Sequence, residues 1–87
     1  MKSIKVKVID PLGLHARPAS KITSEAGKYK SNITISVRNN AANAKSLINL
    51  MALGVKVNDE VEVKADGLDA PEALAAIQKT MIDNKII

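Results

Sequence analysis

The feature that most constrains the fold is a set of short segments in which apolar and polar residues alternate one by one. They cover residues 3–9, 31–38 and 60–65. A period of two buries one face of a β-strand and leaves the other face in water. Asn39 and Asn40 tolerate positive φ and suit a hairpin turn, so a short return strand is expected over roughly 41–45. One-sided strands of this kind favour an antiparallel sheet.

Between the strands, the apolar residues recur with the helical period instead. Helices are predicted over residues 16–27, 47–53 and 70–84. Pro18 suits the first turn of the first helix, Ser46 suits the N-cap of the second, and Asp69 with Glu72 has capping-box spacing at the third. The resulting order, β-α-β-β-α-β-α, predicts an α+β two-layer domain with helices packed on one face of the sheet.

Missing residue types exclude several classes of function. The chain has no Cys, Trp or Phe, one Tyr and a single His, His15. Without Cys there is no disulfide framework, thiolate zinc site or cysteine nucleophile. A single imidazole excludes a histidine metal cluster, and one aromatic ring is too few for a base-stacking platform. We therefore expect no metal and no cofactor.

Size and charge indicate a small soluble domain. The 87 residues are expected to form one domain, 1–87, with a net charge of +4. Its lysines are scattered, which favours a solvated surface over a nucleic-acid site. The longest apolar run, residues 73–77, is far short of the ~20 residues that span a bilayer. No signal peptide is evident, so we expect a cytoplasmic protein with no membrane insertion.

The segment with the most chemical content is residues 13–19, GLHARPA. It places an imidazole at the N-terminal end of a helix, where free N–H groups and the helix dipole attract anions. That positive end disfavours imidazolium, so His15 is expected to offer a nucleophilic lone pair. Arg17 is a planar cation suited to phosphate oxygens. Taken alone, a loop histidine is more often a cap, and an arginine a solvated charge; the complete run indicates a phosphoryl acceptor.

Two segments carry a resemblance to a known family. Residues 13–19 resemble the active-site signature of HPr, the histidine-containing phosphocarrier family of the bacterial phosphoenolpyruvate:sugar phosphotransferase system. Residues 44–54, AKSLINLMALG, resemble the family's second signature, around its regulatory serine. The spacing of the two motifs and the order of elements match the family along the whole chain. The resemblance implies an open-faced sandwich, with a four-stranded antiparallel sheet covered by three helices.

The resemblance also implies a role and partners. His15 would accept a phosphoryl group on Nδ1 from phosphorylated Enzyme I and pass it to the A domain of a sugar-specific Enzyme II. Arg17 would support that group. The protein would be a monomeric carrier in a relay and not an enzyme. Ser46 would be the target of an HPr kinase/phosphorylase, although a serine there is by itself more often a plain N-cap.

A docking surface is expected around the short second helix, which is too apolar to bury all its side chains. Leu50 and Leu53 can face the core, whereas other apolar residues then point toward solvent. The predicted partner surface comprises Leu47, Ile48 and Met51 with Ala16, Arg17, Ser20, Lys21, Ser24 and Lys45.

Two further hypotheses stay open at this point. One is a paralogue that acts mainly by protein binding, including a phosphocarrier of a nitrogen branch, which would also keep the histidine. The other is a small basic nucleic-acid-binding domain. Partner choice tests the first, and a salt-dependent shift with nucleic acid tests the second.

Overall fold

The computed structural model describes residues 2–87 and contains seven elements in the predicted order. They are β1 (Lys2–Lys7), α1 (Ala16–Ala26), β2 (Asn32–Val37), β3 (Asn40–Asn43), α2 (Leu47–Ala52), β4 (Glu60–Asp66) and α3 (Ala70–Asp83). The strands form one antiparallel sheet in the order β1-β4-β2-β3, and the helices pack on one of its faces. The predicted fold, an α+β open-faced two-layer sandwich, is confirmed.

The last strand in sequence, β4, lies in the middle of the sheet. Val63 of β4 pairs with Ile4 of β1 on one side and with Ile35 of β2 on the other. Both neighbours run antiparallel to β4, so the end of β1 meets the start of β4, with Lys7 opposite Glu60. The loop that carries the GLHARPA segment therefore lies at the same end of the sheet as the loop before β4.

The helices bury the faces that the helical period predicts. In α1 the buried residues are Pro18, Ala19, Ile22 and Ala26; in α3 they are Ala70, Ala73, Leu74, Ile77 and Met81. Helix α1 contacts both α2 and α3, and its alanines permit close approach of the neighbouring backbones. Among residues 2–87 no helix has the length and apolar character needed to cross a membrane.

The turn between β2 and β3 differs from the prediction by one residue. Val37 pairs with Asn40, so the two-residue loop is Arg38-Asn39, with φ of 47° and 68°. Asn39 tolerates this left-handed conformation, but arginine rarely adopts it. Arg38 is held there by tertiary contacts: its guanidinium pairs with the carboxylate of Asp59 and donates to the Gly54 carbonyl, Nη2 to O 3.0 Å.

The predicted capping box at α3 is wrong. Asp69 occupies the N-cap position, yet its side chain makes no capping hydrogen bond. The carboxylate instead accepts the N–H of Lys30 at 2.9 Å, the N–H of Ser31 at 2.9 Å and the Ser31 hydroxyl. Ser31 is buried, so Asp69 satisfies donors that water cannot reach. These bonds join the start of α3 to the loop before β2 and outcompete the local cap.

Asp69→Asn is expected to lower stability at pH 7 and to weaken its dependence on pH. The Ser31 side chain, followed by the Lys30 N–H, holds the pKa of the Asp69 carboxyl below its usual value. The contribution is therefore complete above the unfolded pKa of about 3.9 and is lost as the pH falls through the lower native pKa. Urea midpoints at pH 7 and pH 3 measure this. Asp66→Asn, on an exposed residue of β4, is the control; equal midpoints for the two variants at both pH values would contradict the prediction.

Candidate functional site

The loop between β1 and α1 is held at both ends by backbone hydrogen bonds to distant parts of the chain. The N–H of Ile9 donates to the carbonyl of Ile86 at 2.7 Å, and the N–H of Leu14 donates to the carbonyl of Val55 at 3.1 Å. Leu14 and Ile86 are buried. The residue that follows Leu14 is thereby placed by tertiary contacts as well as by the helix that it precedes.

Gly13 permits this close approach of the two loops. Its φ is +68°, and a Cβ on it would lie 2.2 Å from the Val55 carbonyl oxygen. Both the left-handed backbone and the lack of space exclude a larger residue. Packing against Val55 therefore requires a glycine at position 13, two residues before the histidine.

His15 occupies the N-cap position of α1, with extended backbone and no capping hydrogen bond from its side chain. The imidazole lies at the surface, with 31% of the side chain exposed, and its Nε2 is 3.2 Å from Oδ2 of Asp10. A ring in this position is accessible to a partner and is oriented by the carboxylate behind it.

Asp10 is itself held in place by the loop. Its Oδ1 accepts the N–H of Leu12 at 2.9 Å. This backbone bond, and then the hydrogen bond with His15, holds the pKa of the Asp10 carboxyl below its usual value. The carboxylate is therefore ionised at neutral pH, and its negative charge lies beside the imidazole at the N-terminal end of α1.

The first turn of α1 offers donors for an anion. The N–H groups of Ala16 and Arg17 have no acceptor within the helix, because the first intrahelical acceptor, the His15 carbonyl, binds Ala19 at 3.0 Å. The first turn contains no acidic residue. The Arg17 guanidinium is exposed and, within residues 2–87, makes no ion pair. These groups surround the histidine with the charge and donors that a phosphoryl group requires.

A polar groove runs from this turn toward the end of α3. Its lining comprises Asp10, Arg17, Pro18, Lys21, Asp83, Asn84 and Lys85. Lys21, Ser20 and Ser24 are exposed on α1. The Ser20 hydroxyl donates to the main-chain carbonyl of Arg17 at 2.8 Å, one turn earlier in the same helix.

Helix α2 has the cap and the exposure that its sequence predicts. The Ser46 hydroxyl accepts the N–H of Asn49 at 3.4 Å. Leu50 is fully buried, whereas Leu47, Ile48 and Met51 are 37%, 78% and 45% exposed. The ammonium group of Lys45 is not fully free in solvent, because its Nζ donates to the carbonyl of Tyr29 at 2.6 Å.

The site contains no set of residues suited to a metal ion. Within residues 2–87, no three His, Cys, Asp or Glu side chains lie together in an arrangement that could hold one.

The chain is similar to proteins of a known family along its whole length. The profile of the family described as "PTS HPr component phosphorylation site" matches residues 2–83. The phosphocarrier protein HPr of Mycoplasma genitalium is 48% identical over 88 residues, with 100% of both chains covered. The chain belongs to the HPr family of phosphocarriers.

Solved structures of HPr proteins share the complete fold. The structure of a mycoplasmal histidine-containing phosphocarrier protein superposes with a TM-score of 0.98 at 44% identity, covering 99% of this chain and 98% of the other. An HPr dimer from Thermoanaerobacter tengcongensis superposes with a TM-score of 0.76 at 36% identity, covering 100% and 99% of the two chains. The solved relatives therefore include a dimer, and the monomeric state expected for this chain stays a prediction.

Asp10 and the exposed Leu12 are not among the site residues that the sequence predicts. The Asp10–Leu12 hydrogen bond has the two-residue spacing of an Asx-turn, which is a readable local signal. The contact between Asp10 and His15 spans five residues and depends on the path of the loop, so the HPr signature itself does not predict it. Leu12 is 73% exposed on the loop that carries the histidine.

Proposed function

We propose that His15 accepts a phosphoryl group from phosphorylated Enzyme I, which obtains it from phosphoenolpyruvate, and passes it to the A domain of a sugar-specific Enzyme II. The observation that carries this proposal is an accessible imidazole at the N-terminal end of α1 in a chain of the HPr family. Phosphoryl transfer asks a protein mainly for positioning and charge stabilisation, and both are available around this ring.

In this proposal the Nδ1 of His15 carries the phosphoryl group. The N–H groups of Ala16 and Arg17 and the guanidinium of Arg17 stabilise its oxygens, since all three belong to the first turn of α1. The protein acts as one HPr-like domain, residues 1–87, that is loaded and unloaded without a cofactor. It works in the cytoplasm as a monomer, and it is a covalent intermediate and not an enzyme.

Labelling with phosphoenolpyruvate and Enzyme I tests the relay. The protein should acquire phosphate that is labile in acid and stable in base, as a phosphoimidazole is, and should lose it to a sugar-specific A domain. Transfer only to a nitrogen-branch A domain would show that the protein serves the nitrogen branch and not the sugar branch. Failure to acquire such phosphate, together with a salt-dependent shift on nucleic acid, would overturn the carrier role.

We further propose that Ser46 is phosphorylated by an HPr kinase/phosphorylase. The hydroxyl is half-buried at the start of α2, next to Leu47 of the predicted partner surface. A phosphate there would add about −1.5 to −2 charges at a helix end that tolerates negative charge, so α2 should persist. Repulsion from acidic partners would then slow loading of His15. Incubation with such a kinase and ATP should give an acid-stable phosphate; labelling of Ser46→Ala at the same level would refute the assignment.

The proposed docking surface joins α1 to α2. The two helices are in contact, and the bond between Leu14 and Val55 ties the histidine loop to the segment that follows α2. An apolar patch beside cations suits brief contacts with an acidic partner surface. The surface comprises Leu47, Ile48 and Met51 of α2, Ala16, Arg17, Ser20, Lys21 and Ser24 of α1, and Lys45, whose ammonium group contacts Tyr29.

Ile48→Ser is expected to weaken docking without weakening the fold. Ile48 is 78% exposed, so stability should change by no more than about 0.5 kcal/mol. Loss of an apolar contact at an interface centre should raise the dissociation constant for Enzyme I about tenfold. Calorimetric titration measures the affinity and urea unfolding the stability. The matched control is Leu68→Ser, on a fully exposed residue after the far end of β4; equal affinities for the two variants would contradict the docking surface.

A further inference from the structure

Asp10 contacts the reactive imidazole from the loop, and its two oxygens have separate partners. Oδ2 is 3.2 Å from Nε2 of His15, and Oδ1 accepts the N–H of Leu12 at 2.9 Å. The backbone bond restricts the rotation of the carboxylate, and the carboxylate faces the Nε2 edge of the ring. Within residues 2–87, Asp10 is the one carboxylate within 4.0 Å of the imidazole.

We propose that Asp10 is a positioning residue that keeps the ring hydrogen of His15 on Nε2, leaves the lone pair on Nδ1, and stabilises the ring while it carries the phosphoryl group. This inference rests on the proposed function, because it concerns the same imidazole.

The tautomer follows from the chemistry of the contact. An ionised carboxylate only accepts hydrogen bonds, so the ring nitrogen that faces it has to donate. A neutral imidazole has a single N–H, and placing it on Nε2 leaves Nδ1 with the lone pair. Carboxylates orient histidines in the same way in metal sites and in hydrolase triads, where they also raise the basicity of the other nitrogen.

The same contact matters during transfer. The Nδ1 lone pair forms the N–P bond while the bond from phosphorus to the donor breaks, and that electron pair leaves with the donor. The ring keeps its Nε2 hydrogen and becomes a positively charged phosphoimidazolium next to the negative Asp10. In the onward step the N–P bond breaks, its electron pair returns to Nδ1, and the ring is neutral again. No proton moves in either step, and the carboxylate stabilises the charge that develops in the first.

The other charged groups near the pair do not replace this role. Arg17, Lys21, Asp83 and Lys85 line the same groove as Asp10. The three cations would repel a positively charged ring. Within residues 2–87, Asp83 pairs with Lys79 and not with the imidazole; the distance from Nζ to Oδ2 is 2.7 Å. The stabilising charge for the loaded ring therefore comes from Asp10.

Asp10→Asn tests the proposal because an amide has only one oxygen. The amide oxygen is expected to accept the N–H of Leu12, so the NH₂ group faces Nε2 of His15. Because an NH₂ group donates, Nε2 then has to accept. Nitrogen-15 NMR of the unphosphorylated protein, at a pH where the ring is neutral, should show hydrogen on Nε2 in the wild type and a shift toward Nδ1–H in the variant. The initial rate of phosphorylation by phospho-Enzyme I should fall about tenfold.

Asp66→Asn is the control, since it changes the net charge equally at the far end of β4 and should match the wild type in both measurements. An Asp10→Asn protein with the wild-type spectrum would overturn the proposal, and a shifted tautomer with an unchanged rate would overturn its part in transfer. The spectrum does not depend on any phosphoryl donor. A wild type that Enzyme I fails to label would therefore refute the proposed function while leaving the tautomer result intact.

Discussion

His15→Ala is expected to acquire no phosphate from phosphoenolpyruvate and Enzyme I. The substitution removes the only imidazole in the chain, and no cysteine is present to replace it as a nucleophile. The fold should be unaffected, because the side chain is at the surface, makes no capping bond and contacts Asp10 alone by hydrogen bonding. Acid-labile labelling measures the loss, and a free energy of unfolding in urea within about 0.5 kcal/mol of the wild type shows that the variant is folded.

Arg17→Ala is the informative control for this experiment. It leaves the nucleophile in place and removes a charge, so it should still be labelled, at a rate lower by roughly 10²-fold, as for loss of one group that stabilises a transition state. Labelling of the His15→Ala protein at the wild-type level would show that another residue carries the phosphoryl group. Equal rates for Arg17→Ala and the wild type would remove Arg17 from the site.

Gly13→Ala is expected to be among the most destabilising single substitutions in this chain. The new Cβ would lie 2.2 Å from the Val55 carbonyl oxygen, at a residue with φ of +68°. Two penalties therefore combine, left-handed backbone and steric overlap with a main-chain atom, and together we expect a loss of roughly 3–5 kcal/mol. For a domain of this size, that corresponds to a fall in Tm of more than about 12 °C, measurable by circular dichroism.

Gly54→Ala separates the two penalties. Gly54 has nearly the same φ, +67°, but its Cβ would have no neighbour within 4 Å. Only the backbone term remains, so a loss of about 1–2 kcal/mol is expected. If the two alanine variants unfolded at the same temperature, the close approach of the histidine loop to Val55 would not contribute, and the packing account of Gly13 would be wrong.

Much of the fold could be predicted because each element has a local signal. The alternation in β2 predicts the buried side chains at Ile33, Ile35 and Val37, and all three are buried. Ser46 predicts the start of α2, and it caps that helix. In contrast, the turn at Arg38-Asn39 depends on the partners of the arginine, Asp59 and Gly54, which are 21 and 16 residues away in sequence.

The same distinction applies to the candidate site. The position of His15 at the start of α1 follows from the local sequence, because Pro18 and the helical period place the helix end there. The carboxylate behind the ring does not, since Asp10 reaches it only through a loop that is tied to Val55 and Ile86. Asp69 shows the opposite failure: its local capping spacing is present, but the N–H groups of Lys30 and of the buried Ser31 bind it instead.

The sequence by itself determined the order of the elements, the faces they bury, and the position of a single imidazole at the N-terminal end of one helix. These depend on periodicities and caps that act within a few residues. The tertiary structure decided that β4 lies between β1 and β2, that two loops meet at Gly13 and Val55, and that Asp10 faces Nε2 of His15. Contacts between distant residues arise only when the whole core is buried, so local propensity does not encode them one by one.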